Sequence, residues 1–103
     1  MYKLVFFVPG SHLESVKTAV FTAGAGCIGD YDQCCWQVEG VGQFRPLAGA
    51  QPFIGAQDEL SREPEWRVET VCLDEHIRAA RDALVKAHPF EEPAYDIWRL
   101  ADV

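Results

Sequence analysis

The feature that most constrains this chain is the run from Tyr2 to Val8, aromatic and branched apolar side chains around a single lysine, closed at once by Pro9 and Gly10. So short and so apolar a stretch describes a strand buried on both faces, and hence the middle of a sheet. A chain of 103 residues is one ordinary domain. At that size roughly 65% of the surface of the unfolded chain is buried on folding, enough for a core without disulfide or metal staples.

Ser11 opens a helix expected near residues 12–24. Ser11 and Glu14 have the spacing of a capping box, in which each side chain accepts from an unpaired amide of the first turn. Leu13, Val16, Val20 and Ala23 recur at helical spacing, and Gly24-Ala25-Gly26 supplies the stop. A second strand is expected at 34–39, with Trp36 and Val38 on one face and Cys35, Gln37 and Glu39 on the other. From Gly40 to Gly55, glycine and proline punctuate Phe44, Leu47, Phe53 and Ile54. This describes an ordered loop or short hairpin whose apolar residues need somewhere to pack.

Alternation returns at 65–73, a third strand with Trp66, Val68, Thr70 and Cys72 opposite Arg67, Glu69, Val71 and Leu73. Asp74 is placed to cap a helix over 74–87 whose apolar stripe is Ile77, Ala80, Leu84 and Ala87. Pro89 and Pro93 forbid its continuation, and a fourth strand is expected at 94–100. The order β-α-β-β-α-β is the ferredoxin-like, split-βαβ sandwich of the α+β class: one antiparallel sheet with two helices on one face. The other sheet face is left without cover, because residues such as Trp66 and Trp98 cannot all turn toward the helices. A partner subunit or second domain is the usual answer.

Nine Lys and Arg against sixteen Asp and Glu give a net charge of -7, with the basic residues scattered singly. Such a surface is a poor partner for nucleic acid. Leu4 to Val8 is too short an apolar run to span a bilayer or to form a signal-peptide core, so the expectation is a cytoplasmic protein with no membrane partner. Cys27, Cys34, Cys35 and Cys72 suit a reduced compartment. They lack C-x-x-C spacing, the adjacent pair points to opposite strand faces, and Cys72 reads as a small buried hydrophobe. Nothing in the pattern pairs a nucleophile with a base.

Four features go beyond generic fold reading: GAGCIGDY at 24–31, GVGQFRPLAGAQPFIG at 40–55, Arg67 with Glu69 on one strand face, and HPFEEPAYD at 88–96. In this order, and nearly end to end, they resemble the middle, inserted domain of the YqfO-like dinuclear-metal proteins. These are the GTP cyclohydrolase I type 2 homologues, related to the NGG-one interacting factor three proteins. The resemblance implies a fold similar to PII signalling proteins and CutA copper-tolerance proteins. It also implies that residues 1–103 are a single such domain, without the separate domain that carries the family's His, Asp and Glu metal ligands. A non-enzymatic regulatory or binding module with no cofactor follows. The alternative is a divalent-metal-binding or metal-tolerance protein resembling CutA.

HPFEEPAYD holds an imidazole, three carboxylates and a phenol, stiffened by two prolines. On one account His88 closes the helix, where an imidazolium suits the dipole, while Glu91 and Glu92 are solvated and the prolines set the turn. On the other it is a binding loop in which His88 and Glu92 come first, since neutral imidazole and carboxylate can share a cation. In PII-like folds the region between the second and third strands also engages ligands and partners. The site is therefore expected from His88, Glu92 and Tyr95 together with Phe44, Arg45 and Phe53, with His88 and Glu92 as the metal candidates. The glycines at 24, 26 and 29 follow a helix instead of opening one, so they serve a tight return and not a phosphate cradle. Arg67 and Glu69 either form an exposed ion pair or meet a neighbouring subunit and set its register. The expected partners are copies of the same chain, as a trimer over a dimer, with a small molecule or another protein.

Overall fold

The computed structural model describes all 103 residues. Tyr2–Val8 forms β1, a single 3-10 turn follows at Gly10–His12, and then come α1 (Leu13–Thr22), β2 (Cys35–Phe44), β3 (Ser61–Cys72), α2 (Ile77–Ala87) and β4 (Tyr95–Arg99). The sheet order is β2-β3-β1-β4 with every neighbouring pair antiparallel. β1 is therefore central, as its composition requires. Leu4, Phe6 and Val8 of β1 meet Val16 and Val20 of α1, Ala80 and Leu84 of α2, and Val68 and Cys72 of β3 in one core. Both helices lie on the same face, and the fold is the ferredoxin-like α+β sandwich. No helix is long and apolar enough to cross a membrane.

The opposite face carries the other half of each alternation. Register places Trp36, Glu69, Val5 and Asp96 in one row across the sheet, and Val38, Arg67 and Phe7 in the next. Trp36, Val38 and Trp98 are exposed there. Trp66 has the opposite phase and packs against the helix-side core.

Four local expectations are corrected. The capping box does not form: the 3-10 turn puts His12 at the start of α1, and Ser11 Oγ bonds His12 Nδ1 at 2.8 Å instead of an amide. Asp74 does not cap α2, which begins at Ile77; its carboxylate is held by the chain's amino terminus and by Arg99 at 3.2 Å. Those two cations also hold the Asp74 pKa below the ordinary carboxylate value. β2 continues well past Glu39, because the ladder runs on to Phe44 opposite Ser61, and β3 correspondingly starts at Ser61. Gly40 and Gly42 hide that extension from the sequence, since a residue without a side chain shows no face.

The ends of the helices obey simple rules. Gly26, in the return after α1, has φ +87, and a Cβ there would stand 2.8 Å from the Phe21 ring, so glycine is required on both counts. His88 closes α2 in an extended conformation, φ -71 and ψ 136, as a residue preceding proline must.

Candidate functional site

The segment after α2 is organised by His88. Its ring is buried, with Nε2 2.7 Å from the Phe7 carbonyl of β1, while the Phe90 backbone N–H donates to Nδ1 at 3.0 Å. A nitrogen that accepts from an amide carries no proton, so the proton is on Nε2 and is donated to Phe7. Burial pushes the imidazole below its ordinary pKa, against the opposing pull of the Phe7 carbonyl. His88 therefore ends the helix as a neutral pin and not as an imidazolium on the dipole. With both nitrogens engaged inside the fold, the ring offers no lone pair to a metal.

Phe90 rests on that pin. Its ring centroid is 4.9 Å from His88, 6.2 Å from Phe44 at the end of β2 and 6.3 Å from Phe53 in the β2–β3 loop. His12 meets Phe53 edge-on at 5.4 Å. Between the two loops the Gln51 backbone N–H donates to Glu91 Oε2 at 3.0 Å. Glu91 is thus an acceptor that ties the loops together and not merely a solvated charge.

These contacts frame a cleft of about 300 Å³ lined by Phe44, Phe53, Phe90, Glu65, Glu91 and Glu92 among others. Glu65 is paired with Gly40 of β2, and its side chain reaches over Gly42, where any Cβ would collide with its carboxylate. Its partial burial raises its pKa above the usual carboxylate value. Phe44, Glu65 and Ala94 share the strand phase of the open sheet face, so the cleft opens on that side at one end of the sheet.

Of the six residues expected in a ligand site, Phe44, Phe53 and Glu92 line the cleft. His88 stands behind Phe90. Tyr95 pairs with Phe6 and packs against the core, and Arg45 is exposed outside the lining. Phe90, Glu65 and Glu91 were missed. Phe90 is signalled only by being an aromatic between a proline and two acids; nothing local marks Glu65. No three His, Cys, Asp or Glu side chains gather to hold a metal ion. Cys27 is exposed, while Cys72 is buried in the core, where desolvation raises its thiol pKa.

Arg67 and Glu69 lie on the open face with 3.5 Å between guanidinium and carboxylate, and the guanidinium also sits 5.5 Å above the Phe7 ring. Both are partly buried.

The comparisons with known proteins agree with this architecture. The fold is that of CutA: CutA1 from Pyrococcus horikoshii superposes with a TM-score of 0.71 over 100% of this chain and 86% of that one, at 12% identity. A Bacillus cereus protein related to NIF3 superposes more closely, with a TM-score of 0.83 at 40% identity, covering 98% of this chain and 26% of that one. The GTP cyclohydrolase 1 type 2 homolog of Halalkalibacterium halodurans is 43% identical over 102 residues, which is 99% of this chain and 27% of that protein. Over nearly its whole length the chain is similar to one part of these NIF3-related GTP cyclohydrolase 1 type 2 homologues, and it spans about a quarter of their length. No protein-family model matches the chain.

Proposed function

We propose that this chain is a non-enzymatic binding module of the CutA/PII-like kind, taking a small ligand in the cleft between the β2–β3 loop and the loop that follows α2. The observation that carries the reading is the convergence of Phe44, Phe53 and Phe90 from separate segments, with Glu91 fastened to Gln51 across the opening. Aromatic walls with a few placed polar groups are what small-molecule sites are made of, and about 300 Å³ is the lower end of their size. The test is a titration of small-molecule mixtures followed at the backbone amides. Shifts confined to Gln51, Phe90 and their neighbours support the reading, and Phe53→Ser, which removes an already half-exposed ring, weakens them. A library that moves no amide in this region overturns it.

We also propose that the module works as a homo-oligomer, a trimer rather than a dimer, assembled through the open sheet face with Arg67 and Glu69 at or near the contact. Trp36, Val38 and Trp98 give that face exposed apolar area that a second copy would remove from water. Arg67 and Glu69, paired and partly buried among them, supply the polar element that fixes register.

A further inference from the structure

The cleft has a charge as well as a shape. Glu65, Glu91 and Glu92 stand in its lining, and no Lys or Arg does. Arg67, the next residue along β3 with the same phase, is turned toward the middle of the sheet, over Phe7 and against Glu69. Glu91 already accepts the Gln51 amide. Glu65 forms no hydrogen bond and no ion pair within the chain, although it is partly buried, with its carboxylate over Gly42. A carboxylate partly withdrawn from water and left with solvent as its only partner is less well stabilised than one fully in water, and a cation entering the cleft supplies the missing countercharge.

We infer that the occupant is a small organic cation, an ammonium or guanidinium group on an apolar body; the inference rests on the cleft being a binding site, as proposed above. The two halves of the lining ask for the two halves of such a molecule. The rings of Phe44, Phe53 and Phe90 offer apolar contact and a π-face to a cation, while Glu65 and Glu92 offer the countercharge. An anion of the same size meets three carboxylates. A hydrated metal ion has no apolar body for the rings to cover, and no three His, Cys, Asp or Glu side chains converge to ligate it.

Three probes that share one phenethyl body separate these possibilities: phenethylammonium, neutral 2-phenylethanol and anionic 3-phenylpropanoate, each titrated at pH 7 while the Gln51 and Phe90 amides are followed. The expected result is that phenethylammonium saturates those shifts at a concentration at least about tenfold lower than either other probe, and that Glu65→Gln, which keeps the shape and removes the charge, erases the difference. Gly42→Ala, which crowds Glu65 out of place, has the same effect and guards against a folding defect peculiar to the first variant. Equal binding of all three probes, or preference for the anion, overturns the charge assignment and leaves the cleft as a binding site. Absence of shifts with every probe overturns this inference, and the same absence across the broader mixtures overturns the cleft reading itself.

Discussion

Glu91 Oε2 accepts the backbone N–H of Gln51 at 3.0 Å, joining two loops that are 40 residues apart in the chain. The bond is exposed, so its contribution to global stability is small, about 1 kcal/mol or less. Its contribution is to local order. Glu91→Ala should speed hydrogen exchange at Gln51 several-fold while leaving the urea midpoint nearly unchanged, and Glu91→Gln, which keeps an acceptor, should restore protection. A Gln51 amide indifferent to both variants would show that the loops are not tied in solution.

The buried pin at His88 makes stability depend on pH with a definite sign. Its folded pKa lies below the ordinary 6.5, so between those values the unfolded chain binds a proton that the folded chain refuses. The stabilisation is complete above about pH 6.5 and is lost as pH falls through the folded pKa. The denaturation midpoint should therefore drop between about pH 7.5 and pH 5, and His88→Ala should flatten that part of the profile. The variant also leaves the Phe7 carbonyl and the Phe90 amide without their partner, a cost of about 1–3 kcal/mol at pH 7.5. A wild-type profile flat across that range contradicts the neutral, buried assignment.

Leu84 is fully buried between α2 and the sheet. Leu84→Ala should cost about 2–5 kcal/mol, a large part of the typical domain stability of about 5–15 kcal/mol, and lower the urea midpoint accordingly. An unchanged midpoint would mean that α2 presents a different face to the core.

Assembly is read by light scattering at micromolar concentration. An oligomer is expected, and Arg67→Glu should weaken it, because the substitution sets two acids side by side with Glu69 in what becomes a buried contact. Trp36→Ser should act in the same direction by removing exposed apolar area from the open face. A clean monomer of about 11.5 kDa would defeat the assembly claim.

Much of the fold was legible because its signals are local. The apolar run of β1 announced a central strand, and the stripes Leu13-Val16-Val20 and Ile77-Ala80-Leu84 are the buried faces of the two helices. The cleft was half legible: Phe44, Phe53 and Glu92 stood in suspicious segments, but Phe90 at the centre of the rings did not stand out. The helix starts were misread, since a capping pattern such as Ser11 with Glu14 competes with a 3-10 turn that the exit from β1 imposes.

The sequence by itself determined the element order, the central place of β1 and the faces that must be buried, because periods of two and of 3.6 residues are properties of neighbouring side chains. Tertiary structure alone decided what those elements do to one another. The proton on His88 Nε2 is held by a carbonyl 81 residues away, and the raised pKa of Glu65 follows from its partial burial, with its carboxylate over a glycine of the adjacent strand. Desolvation and hydrogen bonding depend on what surrounds a group in space. No pattern along the chain reports the surroundings of residues brought together by folding.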